Sequence, residues 1–197
     1  MLLFSFVLGE PVSDVKKPKT LYIDEDLFKR IGANDMEALD ELYRITERAL
    51  YAYTLSLVKN HVETLDLMQE TYVKVISAAH LYKPMGKPLA WMFTITKNLY
   101  FSHLRKNKRV QYLEYGELGN DIRFSYITDP EDKIVLEAAI GQLSEEELQI
   151  VLLHAVTGMK HREIAENIGL SLSTTLSKYH RALKKLRSHL QERGSLQ

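Results

Sequence analysis

The chain has 197 residues, 26 Lys+Arg against 26 Asp+Glu, no cysteine, and 45% residues of the hydrophobic class. That length suits one medium domain or two small ones, each with its own core. The missing cysteines exclude a disulfide scaffold, a thiol nucleophile and any Cys-ligated zinc or iron–sulfur site, and the balanced charge gives no overall attraction for nucleic acid.

Residues 1–23 read as a loose N-terminal extension. Their apolar run, Leu2 to Leu8, lacks the preceding basic stretch and the following small-residue cleavage site of a secretory signal. No later stretch approaches the roughly 18–20 continuous apolar residues of a membrane helix. The chain is expected to be soluble and cytoplasmic, without direct membrane insertion.

Helical periodicity then dominates. Asn34, with Glu37 three residues on, has the form of a capping box opening a long helix through about residue 58, with Leu39, Leu42, Tyr43, Leu50 and Tyr53 on its apolar side. A second helix is expected over about 62–79, burying Leu65, Met68, Tyr72, Val75 and Ile76. Pro84, Gly86 and Pro88 mark a loop, with Pro88 suited to a first helical turn. The third helix turns Leu89, Met92, Ile95 and Leu99 inward. With a short preceding helix, these three make a first domain over 24–108.

From Gln111 to Asp132 the periodicity is lost among Gly116, Gly119, Asn120, Asp129 and Pro130, so 109–132 reads as a flexible linker. A second helical domain follows over 133–197. Ser144 and Glu147 form another capping-box candidate, Gly158 ends that helix, and His161 to Ile168 precede Gly169. The last helix, about Ser171 to Gln191, carries Leu172, Leu176, Tyr179, Leu183, Leu186 and Leu190 as its expected apolar stripe. The fold class is all-α, two small helical domains joined by a linker.

The neutral sum hides an uneven arrangement. Residues 97–109 hold Lys97, Arg105, Lys106, Lys108 and Arg109 with no acid, and 171–197 hold six bases against Glu192 alone. Between them, 110–143 hold seven acids against Arg123 and Lys133. Either basic run taken alone is compatible with a solvated helix face.

The second run coincides with a short helix, a turn at Gly169, and a helix bearing Ser173, Thr174, Ser177, Lys178 and Arg181 off its apolar stripe. That is the layout of a helix-turn-helix, whose second helix enters the major groove. An ordinary helical hairpin with a polar face has the same spacing. The first run interleaves rings with cations: Trp91, Phe93, Lys97, Asn98, Tyr100, Phe101, His103 and Arg105. Unpaired bases stack on rings while cations follow the backbone, although Trp91 and Phe93 suit a helical core equally well.

Signs of an enzyme are missing. The seven histidines include no pair at the i, i+4 spacing of a helical zinc site, and no phosphate loop or nucleophile elbow occurs. Asp66 and Glu70, one turn apart, fit a protein-docking or solvated face better than a cation site. No cofactor and no metal are expected.

Taken in order, Asp66-Leu67-Met68-Gln69-Glu70-Thr71, Trp91, Lys97-Asn98-Leu99, His103-Leu104-Arg105, Leu143-Ser144-Glu145, Gly158, Glu163-Ile164-Ala165, Gly169 and His180-Arg181-Ala182 resemble the extracytoplasmic-function sigma factors of bacterial RNA polymerase. The likeness spans about residues 35–108 and 133–190. It implies a non-catalytic protein that binds core RNA polymerase, recognises promoter DNA, and helps melt it, with its linker threaded through the polymerase. Asp66, Gln69 and Glu70 match the helix that docks on the β′ clamp helices. Lys97, Asn98, Tyr100, Phe101, His103 and Arg105 match the segment facing the −10 element, and Ser173, Thr174, Ser177, Lys178 and Arg181 match the −35 recognition helix. Control by a separate anti-sigma factor is also implied.

Four positions depart from that pattern. Ser102 stands where an acid is usual, Thr94 where a base is common, and Thr175 with Leu176 where Val-Lys is frequent. Two other readings of the residues stay open at this point: a helix-turn-helix regulator independent of polymerase, and a helical interaction adaptor.

Overall fold

The computed structural model describes residues 21–84, 86–107 and 130–194. They form eight α-helices and one 3-10 turn, with no strand among the described residues. The helices fall into two compact units. Of the expected extension, 1–20 lie outside the described residues, and Ile23 is already buried. Of the expected linker, 109–129 lie outside them, while Pro130–Asp132 are helical, the proline occupying the first turn where its missing N–H costs nothing.

The first unit contains α1 (Asp26–Gly32), α2 (Met36–Val58), α3 (His61–Ala78), the 3-10 turn Ala79–Leu81 and α4 (Pro88–Asn107). The cap of α2 is Asp35, not Asn34. The Asp35 carboxylate accepts the Glu37 and Ala38 N–H groups, and Asn34 instead takes a left-handed backbone at φ 65°. That bend closes the turn after α1, a role for which Asn is suited. The Ala38 N–H and the Arg30 guanidinium hold the Asp35 carboxyl below the usual carboxylate range.

α2, α3 and α4 pack on one another, with α1 against α2. Leu42, Leu50, Leu55, Met92 and Phe93 fill their common core, and Phe28 anchors α1. Two expected core positions do not hold: Leu65 and Tyr43 are exposed, and Leu67 is buried in the place given to Leu65. The α3 stripe also includes the threonines Thr64 and Thr71, which a purely apolar reading passes over. Buried threonines are admitted because each hydroxyl returns to the helix: Thr46 donates to Leu42 O at 2.7 Å, Thr71 to Leu67 O at 2.7 Å, and Thr96 to Met92 O at 3.1 Å. Thr71 and Thr96 also meet across α3 and α4 at 3.2 Å, and Thr46 meets the Tyr72 hydroxyl across α2 and α3 at 2.9 Å. The backbone bonds, with the Tyr72 hydroxyl donating to Thr46, satisfy polar groups that would otherwise be costly to bury.

The second unit contains α5 (Pro130–Gln142), α6 (Glu145–Thr157), α7 (His161–Ile168) and α8 (Leu172–Gly194). The Ser144–Glu147 capping box is present at the start of α6. Gly158 and Gly169 end α6 and α7 in left-handed conformation, at φ 70° and 76°, where a side chain would be strained. Leu148, Ile150, Leu152, Leu153, Ile164, Ala182 and Leu186 form the core. The helix-turn-helix is thus α7, the Gly169 turn and α8, which pack together.

The stripe of α8 is corrected at its start. Thr175, Ala182, Leu183 and Leu186 face inward, whereas Leu172 and Leu176 are exposed. Thr175 is buried because its hydroxyl donates to Ser171 O at 3.0 Å. A leucine-only reading of the 3.6-residue period could not see that a threonine held the core position.

Candidate nucleic-acid and protein-docking surfaces

Asp66, Gln69 and Glu70 lie on one exposed face of α3, as their spacing of three and one requires. With Val73, Lys74 and Leu99 they line a shallow depression of about 530 Å³. Val73 is an exposed apolar residue amid these polar groups. An exposed acidic rim with an apolar centre suits a protein partner better than a metal. Among the described residues no group of three His, Asp or Glu side chains is placed to hold a metal ion.

On α4 the −10 candidates divide by exposure. Lys97, Asn98, Phe101 and Arg105 are exposed, while Tyr100 and His103 are partly covered. Lys97, Phe101 and Arg105 are four residues apart and share a stripe along the helix. The Lys97 ammonium lies 5.9 Å from the Phe101 ring centre, and the Tyr100 and Phe101 rings are 5.6 Å apart. The stripe therefore offers stacking surface beside cations. Trp91 and Phe93 belong elsewhere. Phe93 is buried and stacks on Tyr53 at 4.0 Å, and Trp91 packs edge-on against Phe28 and Tyr82, each at 5.3 Å.

His103 Nε2 meets Glu70 Oε2 at 2.9 Å, tying α4 to α3. The contact joins a residue expected to face DNA to one expected to face protein. No sequence signal marks it, because the partners are 33 residues apart. Ser102 is partly covered and Thr94 exposed, the latter with its hydroxyl turned back to Ala90 O at 2.9 Å.

In the second unit, the hydroxyl of Ser171 caps α8. It accepts the Thr174 N–H at 3.1 Å and lies 3.0 Å from Ser173 Oγ and 2.8 Å from Thr174 Oγ1. Ser173 and Thr174 are thus held in place while keeping hydrogen-bonding capacity for a ligand. Ser177 and Arg181 are exposed. Lys178 differs from the reading as a free DNA cation: its ammonium is paired with Glu146 at 2.7 Å and is largely covered. Farther along, Lys184 and Arg187 flank a groove of about 730 Å³ that His180 and Ser188 also line, cations not among the expected contacts.

Two ionisable groups fix α8 against its neighbours. Glu147, the buried end of the capping box, receives the Lys185 ammonium at 2.7 Å and the Ser144 N–H at 3.1 Å. Burial pushes its pKa up, but the Lys185 and Ser144 contacts outweigh that, and the net shift is downward. His161 sits 4.4 Å from the His154 ring and 4.3 Å from the Tyr179 ring. Burial, with the charges of His154 and His180, lowers its pKa. The fold thus makes a histidine pair that the i, i+4 test could not find. No helix among the described residues is long and apolar enough to cross a membrane.

Comparison with known proteins follows this division. Residues 42–110 match the model of Sigma-70 region 2, and residues 133–186 match that of Sigma-70 region 4. The ECF RNA polymerase sigma factor SigX of Bacillus subtilis is 24% identical over 164 residues, covering 79% of this chain and 84% of that one. The ECF RNA polymerase sigma factor SigE of Mycolicibacterium smegmatis is 28% identical over 169 residues, covering 81% of this chain and 64% of that one. Among solved structures, the sigma factor RpoE in complex with the anti-sigma factor NepR, from Bartonella quintana, aligns with a TM-score of 0.56 at 23% identity, over 77% of this chain and 96% of that chain.

Proposed function

The chain is an extracytoplasmic-function sigma factor, and from that premise we propose how its surfaces divide the work of starting transcription. The exposed α3 face of Asp66, Gln69 and Glu70 docks on the β′ clamp helices of core RNA polymerase. The α4 stripe holds the opened −10 strand: Tyr100 and Phe101 supply ring faces, Lys97 and Arg105 follow the phosphates, and Asn98 and His103 offer hydrogen bonds. The exposed side of α8, with Ser173, Thr174, Ser177 and Arg181, and with the Glu146-paired Lys178 at its edge, enters the major groove at the −35 element. The protein makes and breaks no covalent bond itself; polymerase does the chemistry, in the cytoplasm.

The observation that carries this reading is that regions 2 and 4 occur in order, each bearing a distinct exposed surface of suitable chemistry. A helix-turn-helix regulator using its N-terminal helices for dimerisation or sensing would not call for a Sigma-70 region 2, which residues 42–110 match. The domain division proposed is 24–108 for polymerase and −10 binding and 133–197 for −35 binding, joined by 109–132, with the extension 1–23 outside both. The acids of the linker, placed in a channel that RNA uses, would mimic nucleic acid; initiation and escape unchanged after their replacement by Gln would count against that role. An anti-sigma factor masking these surfaces completes the scheme, as NepR accompanies the structural relative.

Replacing Asp66 and Glu70 together with Lys tests the docking assignment. Binding to core polymerase should fall at least tenfold while the far-UV spectrum is kept and stability to melting falls only by the small cost, about 0–1 kcal/mol, of losing the exposed Glu70–His103 contact. Undiminished core binding would remove the α3 face from the scheme.

A further inference from the structure

The start of α8 repeats one pattern a turn apart: Leu172-Ser173, then Leu176-Ser177. Both serines are exposed, and so are both leucines, at 44% for Leu172 and 36% for Leu176. The inward side of this turn is already filled by the fully buried Thr175. The leucines therefore stand at the edge of the core, each with part of its side chain open to solvent. They stand beside hydroxyls on the part of the helix that, in a helix-turn-helix, reaches base edges.

We infer that Leu176, seconded by Leu172, reads thymine in the −35 element by packing on its 5-methyl group. The inference rests on the reading of α8 as the −35 recognition helix. The thymine methyl is the apolar feature of the major-groove edges, and apolar side chains recognise it there. Charge argues for DNA over a protein as the occupant: residues 171–197 hold six bases against one acid, and Arg181 is exposed one turn beyond Ser177, the serine next to Leu176. An apolar pair set in such a cationic helix fits a ligand that carries both phosphates and methyl groups. Ser173 and Ser177 add hydrogen bonds to neighbouring bases, so the helix reads a thymine beside a polar edge.

The test uses holoenzyme assembled from core polymerase and the full chain. Promoters are first enriched from a genomic library, and each −35 thymine of an enriched promoter is then replaced by deoxyuridine, which lacks only the methyl. At one position or two adjacent ones, the wild type should lose about three- to tenfold in affinity, the scale of one buried methyl group. Leu176→Ala should bind the thymine promoter that much more weakly and be indifferent to the replacement, while Leu176→Met, which keeps a flexible apolar tip, should retain sensitivity. Thermal melting of each variant checks that the unit stays folded. Enriched elements without thymine, or equal sensitivity to the replacement in wild type and Leu176→Ala, would overturn the inference. Absence of any −35 protection in footprints would instead overturn the recognition-helix reading itself.

Discussion

Replacing Glu147 with Gln isolates the contact that holds the recognition helix in place. The Glu147 side chain is 3% exposed and receives Lys185 at 2.7 Å and the Ser144 N–H at 3.1 Å. Glutamine keeps the size and an acceptor for Ser144, but loses the charge that Lys185 meets. Breaking a fully buried ion pair costs about 3–5 kcal/mol. Here Lys185 is 42% exposed and regains water, so the lower range for a charge-assisted hydrogen bond applies, about 1.5–3 kcal/mol. For a unit of this size that is a fall in Tm on the order of 10 °C. Far-UV circular dichroism, which reports the helices of the second unit as well as the first, should show the loss. The pH dependence has a definite sign. The folded pKa of Glu147 lies below its unfolded value, so its contribution is complete above the unfolded pKa and is lost as pH falls through the folded one. The difference between wild type and variant should therefore shrink in acid. A variant as stable as wild type at neutral pH, or an undiminished difference in acid, would show that the Glu147–Lys185 pair does not hold α8 in place.

Two aromatic residues eight apart on α4 should behave oppositely. Phe93→Ala, which removes a buried ring stacked on Tyr53, should cost about 3–5 kcal/mol by urea titration followed through Trp91, whereas Phe101→Ala should scarcely change that titration. Phe101→Ala should instead weaken holoenzyme binding to a labelled single-stranded −10 segment by at least fivefold, since base stacking is worth about 1–3 kcal/mol; unchanged strand binding would remove Phe101 from the interface. Arg181→Ala should reduce −35 duplex affinity and the steepness of its salt dependence more than Lys178→Ala does, because Lys178 is already paired with Glu146; footprint titrations at several salt concentrations would show the order. His161, whose pKa is lowered in the fold, stabilises fully above its ordinary value of 6.5 and progressively less below it. His161→Gln should flatten that acid-side loss in the stability of the second unit, and an identical pH profile would contradict it.

Most helices were legible because apolar periodicity and end signals agree. Ser144 with Glu147, Gly158, Gly169 and Pro88 each mark a helix end by a local mechanism that needs no tertiary information. Where the reading failed, a polar residue had taken a structural place. Asp35 capped α2 because the adjacent Asn34 was needed for a left-handed bend. Thr71 and Thr175 are buried because each returns its hydroxyl to the helix backbone; Leu67 takes the interior place expected of Leu65, and Thr175 the one expected of Leu176. The candidate surfaces were legible from charge and ring content. Their couplings were not: Glu70 with His103, Lys178 with Glu146, and His154 with His161 are made by tertiary packing between helices.

As a sigma factor, this chain directs core RNA polymerase to start transcription at particular promoters. Reconstitution tests it most directly: purified core enzyme, the full chain, a library of genomic fragments and nucleotides, with the 5′ ends of the transcripts sequenced. Discrete start sites should appear only when the chain is added, preceded by shared −35 and −10 elements, and should be lost with the Asp66, Glu70 double variant. Transcripts identical with and without the chain, together with no association between chain and core enzyme, would contradict it.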